Sequence, residues 1–173
     1  MSASVHLICG STGAGKTTYA MALGTKASAM HFSIDAWMVG LFAVDMPTPP
    51  DWPWISARVL RCEAQILTTA IELHRIGVSS VLDIALLRAD RRREIADTLK
   101  SANVAMQFHL LDVSATERWR RVSARNQDKG ETFHLAVSRG MFDFIETLWQ
   151  LPTQDELAVW ERAGPVVKAG ASH

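Results

Sequence analysis

Between Gly10 and Thr17 the chain reads Gly-Ser-Thr-Gly-Ala-Gly-Lys-Thr, a glycine, four residues, then glycine, lysine and a hydroxyl residue. Each residue type there suits one chemistry. Glycines let a backbone curl with its N–H groups turned inward around an anion, and a helix starting at the loop adds its positive end. A lysine at position 16 can bridge β- and γ-phosphates, the Thr17 hydroxyl is a magnesium ligand, and Thr18 can donate to an α-phosphate. Gly10, Ser11, Thr12, Gly13, Ala14, Gly15, Lys16, Thr17 and Thr18 are therefore the expected nucleotide-binding set. A glycine-rich turn that binds nothing is the alternative. The context argues against it: Val5-His6-Leu7-Ile8-Cys9 is a short apolar run and the stretch Lys16 to Ala27 favours helix, so the loop lies between strand and helix.

A phosphate-binding loop leaves open where the phosphoryl goes, so the other polar residues must decide. Asp35 follows a candidate strand, and in a parallel α/β sheet the carboxyl ends of the strands lie on the ligand side. A carboxylate there can accept a proton from an attacking hydroxyl, or it can simply cap the next helix. Asp83 ends another apolar segment, where an aspartate can hold magnesium; Leu110-Leu111-Asp112 offers a similar ending. Asp83 is preferred because a basic stretch, Arg88 to Arg93, follows it. Arg118, Arg121 and Arg125 fall within about 60° of one another on a helix, whereas Arg120 points away. Such a face suits the charge of a transferring phosphoryl group, as a closing lid; a solvated charge cluster is the plain alternative. Trp52 and Trp54 sit in a proline-rich frame before Arg58, Arg61 and Glu63, which can form an aromatic acceptor pocket or merely fasten a loop to the core. The isolated His6, His31, His74 and His109 read as core or surface residues, and magnesium is the only metal expected.

The elements that must position these residues alternate. Met30 to Ile34 reads as a second strand, followed by a short helical pattern through Trp37, Met38, Leu41 and Phe42. Asp45 to Trp54 holds four prolines and is expected to be neither helix nor central strand. From Ala57 the apolar positions Leu60, Ala64, Leu67 and Ile71 recur at helical spacing, with Gly77 as a stop. Val78 to Leu82 predicts a third strand, about Ala89 to Ser101 a polar helix, and Val104 to Leu111 a fourth strand. Ser114-Ala115-Thr116-Glu117 has capping-box spacing, so a helix should begin at Ser114 and run to about Arg125, with Asn126 to Gly130 breaking it. Val137, Met141, Phe144, Ile145 and Leu148 mark another amphipathic helix ended by Pro152, and Val166-Val167 a last edge strand. Strands alternating with helices predict an α/β domain with a mainly parallel sheet.

The chain has 173 residues and is expected to form one domain over 1–173. Lys plus Arg and Asp plus Glu both number 18, which removes the global cationic field that drives nonspecific binding to nucleic acid and favours a small-molecule partner. No apolar run approaches the roughly 18 residues of a membrane span, and Met1 to His6 lacks the basic region of a signal peptide. Cys9 and Cys62 form no metal-type cluster and read as buried thiols in a reducing cytoplasm, ahead of a disulfide.

With the glycine-rich loop, Ser33-Ile34-Asp35-Ala36-Trp37, Val81-Leu82-Asp83 and Arg121-Val122-Ser123-Ala124-Arg125-Asn126 in this order, the chain resembles the AAA-type ATP-binding proteins of the P-loop kinase class. These are relatives of chloramphenicol phosphotransferase, zeta toxins and gluconate kinases. The resemblance implies a three-layer P-loop NTPase fold, a five-stranded sheet with helices on both faces, ATP and Mg2+ as cofactors, and an arginine-bearing lid at about 114–135. It implies that Asp35 activates the acceptor, that Arg121 and Arg125 are lid arginines acting with Lys16, and that Arg92 matches a recurrent arginine after the third strand. Trp37, Arg58 and Arg92 are then the candidate acceptor contacts, with Thr17 and Asp83 on the metal. The expected function is transfer of the γ-phosphoryl of ATP to a hydroxyl of a small molecule. An ATP-hydrolysing switch acting on a protein partner and a polynucleotide-end kinase are the alternatives.

Overall fold

Strand β1 (Val5–Cys9) is buried at every position, so its alternating side chains serve two cores. Val5, Leu7 and Cys9 pack into one core, whereas Ile8 packs into the other with Ala20, Val81 and Leu111. The structure is a computed structural model, and it describes residues 3–49, 51–84, 86–128, 136–163 and 167–170. β2 (Met30–Ser33), β3 (Ser80–Asp83), β4 (Met106–Asp112) and β5 (Val167–Gly170) complete a five-stranded sheet in the order β2-β3-β1-β4-β5. Every pairing is parallel, as the alternation of elements predicts.

Helix α1 (Lys16–Ala27) covers the face that holds Ile8 and Val81. The other face carries α2 (Ile34–Phe42), α3 (Trp52–Arg75), α4 (Ala89–Ser101) and α7 (Gln154–Ala163), through Met38, Ile66, Ile95 and Leu157. The result is a three-layer α/β fold. After β1 the chain builds β2 and β3 on one side of it, then β4 and β5 on the other. That reversal leaves a crevice at the carboxyl end of β1, where a doubly wound sheet takes its ligand.

The helices differ from the sequence expectation at three places. α5 (Ala115–Asp128) continues through Asn126, Gln127 and Asp128, where the chain was expected to break, because Asn126 holds its place with side-chain bonds to the backbone of Val137. α3 starts at Trp52 rather than Ala57, so the last part of the proline-rich stretch is helical. Pro53 lies in the first turn, where an absent N–H costs nothing because that N–H would have no intrahelical partner. α7 has no counterpart among the expected elements, although Thr153 and Glu156 have capping-box spacing and the Glu156 N–H donates to Thr153 Oγ1 at 3.2 Å. It buries Leu157 and stacks Trp160 on Phe108 with ring centroids 4.0 Å apart. Burying Leu157 alone is worth about 1.5–3 kcal/mol. Val166 of the expected edge strand, and residues 129–135 of the expected lid, lie outside the described residues.

Among the histidines, His6 and His109 are buried on the α1 side of the sheet. His6 Nδ1 lies 3.0 Å from His109 Nε2, and His109 Nδ1 lies 2.8 Å from the Tyr19 hydroxyl on α1. This polar thread satisfies groups that would otherwise be stranded between sheet and helix. Burial pushes the His109 imidazole down to about 4 and lowers that of His6. Cys9 and Cys62 are free, buried thiols, and burial pushes Cys9 up to about 12.

Candidate nucleotide and acceptor site

The loop from Gly10 to Gly15 leaves β1 at the carboxyl end of the sheet and enters α1. Gly13 (φ 81°) and Gly15 (φ 90°) adopt the left-handed conformation that disfavours other residues. At Gly13 space also forbids a side chain: a Cβ would stand 2.5 Å from the Arg118 carbonyl oxygen and 2.8 Å from Val122 Cγ2. Gly15 is the N-cap of α1 and brings no capping side chain, so first-turn N–H groups are open to an anion. Lys16 Nζ folds back to donate to the Ser11 carbonyl at 3.4 Å. Thr18, two residues further along α1, is exposed.

Thr17 Oγ1 donates to Asp83 Oδ2 at 2.6 Å. A hydroxyl and a carboxylate meeting at the mouth of the loop form the hard oxygen set that magnesium prefers, so these two residues fit the metal implied by the loop. Asp83 is 5% exposed, whereas Asp112 is exposed at the end of β4, and among the described residues no hydrogen bond joins Asp112 to the loop. Register decides where Asp35 goes: Ser33, the last residue of β2, pairs with Asp83, so Asp35 lies just beyond the same sheet edge. Asp35 is exposed in the first turn of α2. Its alternative role as helix cap passes to Ser33, whose hydroxyl accepts from the Ala36 N–H at 3.3 Å.

Arg118, Arg121 and Arg125 of α5 (Ala115–Asp128) do not act as one face. Arg118 is 4% exposed and is consumed by the fold: it pairs with Glu146 of α6 (Arg139–Leu148) through two bonds of 2.6 Å, and donates to the carbonyls of Val113 and Thr12. Arg121 lies over the loop, its Nη1 3.5 Å from the Ala14 carbonyl, while its Nε donates to Glu117 at 2.7 Å. Hydrogen bonds from Arg120 and Arg121 hold the Glu117 carboxyl down at about 2. Arg125 is half-buried, with Nε buried and without a partner.

The acceptor candidates separate. Arg92 is corrected most strongly, for it is fully buried, bound bidentately by Glu156 at 2.6 and 2.9 Å, and donates to the carbonyls of Leu86 and Leu87. No part of it faces a substrate. Glu63 is likewise buried and paired with Arg91 at 2.8 Å. Arg58 is half-buried over the Trp54 ring, 3.4 Å from its centroid, with Phe42 on another side. Its Nε is buried without an acceptor, and no carboxylate pairs with it among the described residues. Trp37 packs edge-on against Phe32 and is partly buried against the core. Trp52 is half-exposed beside Phe144 of α6.

Sequence reasoning missed Glu146 and Glu156, the carboxylates that claim Arg118 and Arg92. Their partners are 28 and 64 residues away, so no local spacing marks the pairs. The spacing of Glu117 to Arg121, by contrast, was legible as a helical i,i+4 pair.

The sequence profile of the AAA domain family matches residues 5–147. No curated protein sequence matches the chain. Among solved structures, the fold is similar to that of a protein from Chloroflexus aurantiacus j-10-fl proposed to be a kinase. The TM-score is 0.72 at 18% identity, covering 98% of this chain and 85% of that one. It is similar to APS kinase CysC of Mycobacterium tuberculosis in complex with AMPPNP and APS (TM-score 0.64, 15% identity, 99% and 90% covered). It is also similar to Kti12 of Chaetomium thermophilum in complex with ADP-AlF3 (TM-score 0.66, 14% identity, 97% and 89% covered). These likenesses establish the P-loop kinase-like fold. Among the described residues no helix is long and apolar enough to cross a membrane.

Proposed function

This chain belongs to the AAA domain family, and from that premise we propose that it is an ATP- and Mg2+-dependent phosphotransferase moving the γ-phosphoryl of ATP to a hydroxyl of a small molecule. The observation that carries this reading is the pairing of Ser33 with Asp83, which sets Asp35 beside the sheet edge where Asp83 meets Thr17. A pure nucleotide switch has no need of an exposed carboxylate there. That similar folds hold AMPPNP and ADP-AlF3 supports a nucleotide on the loop.

In this reading Gly10 to Thr18 bind the triphosphate through backbone N–H groups, and Lys16 swings from the Ser11 carbonyl to the β- and γ-phosphates. Thr17 and Asp83 would hold magnesium, which when bound neutralises phosphate charge. Asp35 orients the acceptor hydroxyl and takes its proton as the acceptor oxygen forms a bond to the γ-phosphorus. The bond from that phosphorus to the β,γ-bridging oxygen breaks, and ADP leaves. Arg121, released from Glu117, and Arg125 donate to the transferring group. Asp35 and Phe42 are seven residues apart, close to one face of α2 and about 10 Å apart along it, and Arg58 sits over Phe42. Arg58 therefore suits an anionic group on the acceptor, with Trp54 and Trp37 as apolar walls. Residues 1–173 act as one catalytic domain, in the cytoplasm where ATP is abundant and the two thiols stay reduced.

The test is incubation of the purified chain with γ-labelled ATP, Mg2+ and a panel of hydroxyl metabolites and hydroxylated antibiotics. Label should move to an acceptor. Slow phosphate release with transfer to none of them would overturn the proposal.

A further inference from the structure

The outer arc of the phosphate loop is held from outside. Ser11 is 1% exposed and its hydroxyl donates to Glu146 Oε1 at 2.7 Å. The Thr12 carbonyl accepts from Arg118 Nη1 at 3.2 Å. Gly13 lies directly against the Arg118 backbone and Val122. Arg118 and Glu146 are joined to each other by two short bonds, so α5, α6, Ser11 and Thr12 form one hydrogen-bonded unit, with Gly13 packed against it. The Arg118 guanidinium holds the Glu146 carboxyl below its usual range, so Glu146 stays ionised at neutral pH.

Phosphate binding by backbone N–H groups depends on those groups converging before the ligand arrives, since each residue left to order on binding weakens affinity. A carboxylate near a phosphate site has the opposite effect through charge alone, because it repels the ligand. Arg118 offsets much of that charge, and the Glu146 bond to Ser11 acts on the loop's geometry instead. We infer that Glu146 and Arg118 are positioning residues that brace Ser11-Thr12-Gly13 in the nucleotide-competent curl. The inference rests on the nucleotide site proposed above. It also separates the work of the arginine helix, in which Arg118 anchors the loop while Arg121 and Arg125 are left to meet phosphate.

Charge and positioning predict opposite signs, which makes the test decisive. Binding of a fluorescent ADP analogue with Mg2+ is titrated against wild type, Glu146→Gln, Ser11→Ala and the double variant, at a temperature where thermal melts show each folded. The brace predicts about tenfold weaker binding for Glu146→Gln and about three- to tenfold for Ser11→Ala. The double variant should be no weaker than Glu146→Gln within about twofold, because both changes break one link. Affinity equal to or tighter than wild type in Glu146→Gln overturns the brace, as does a lowered melting temperature with unchanged affinity. If Glu146→Gln does not fold, Ser11→Ala decides alone, since it removes one oxygen and no charge; wild-type affinity there overturns the brace. Failure of the wild type itself to bind the analogue would instead overturn the nucleotide site, and the brace with it.

Discussion

Replacing Arg92 with methionine should unfold this protein more easily while leaving the chemistry of its site alone. The side chain is fully buried, and its guanidinium lies between Trp149 and Trp160 at 5.8 and 5.9 Å from their ring centroids. Its bonds to Glu156 are 2.6 and 2.9 Å long, and those to the Leu86 and Leu87 carbonyls 3.2 and 3.1 Å. Methionine fills most of the volume but satisfies none of these acceptors. Two carbonyls lose a donor, and Glu156, whose side chain is 17% exposed, keeps its charge without a counterion. Breaking a buried pair from one side costs about 3–5 kcal/mol. Set against a total stability of about 5–15 kcal/mol, that is a large fraction. Urea denaturation followed by tryptophan fluorescence should show the loss as a lower midpoint at unchanged slope, and thermal melts as a drop of about 6–20 °C. Under conditions where the variant is folded, ADP affinity should stay within about twofold of wild type. Unchanged stability together with lost acceptor use would refute the reasoning and return Arg92 to the substrate.

Asp35→Ala should reduce phosphoryl transfer at least about 100-fold with little change in ADP affinity, and an active variant would remove Asp35 as the proposed base. Asp83→Asn leaves Thr17 a weaker partner and should raise the Mg2+ concentration needed for half-maximal nucleotide binding about tenfold or more; an unchanged Mg2+ titration would transfer the metal to other residues. Gly13→Ala drives a Cβ against the Arg118 carbonyl at a positive φ and should weaken nucleotide binding more than tenfold, which a direct titration would detect. Because burial lowers His109 from 6.5 to about 4, the unfolded chain takes up a proton near pH 6.5 that the folded chain refuses until about pH 4. Stability should therefore be greatest above pH 6.5 and fall by about 1–3 kcal/mol across that window, an effect that His109→Gln should flatten in urea melts at a series of pH values.

Much of this protein was written in local spacing. The glycines at 10, 13 and 15 between an apolar run and a helix-forming stretch set the phosphate loop: Gly13 and Gly15 take backbone conformations open to few other residues, and at Gly10 a Cβ would stand 3.0 Å from the Leu111 carbonyl oxygen. The alternation of apolar and amphipathic segments set the parallel α/β sheet, and α1 and α4 match their expected bounds. Local signals failed where they conflicted: prolines hid the start of α3, though Pro53 falls in the one turn that tolerates it. Only tertiary structure decided which arginines are free. Arg118 and Arg121 look alike in sequence, three residues apart on one helical face. Glu146, 28 residues from Arg118, claims the first and buries it against the loop, while Arg121 pairs with the half-buried Glu117 of its own helix and reaches the Ala14 carbonyl. Arg92 was taken out of solvent in the same way by Glu156, on a helix the periodicity had not revealed. Spacing along a chain reports what neighbours within a few residues can do. A guanidinium's fate depends on which distant carboxylate the folded backbone brings to it, and that is information carried by packing alone.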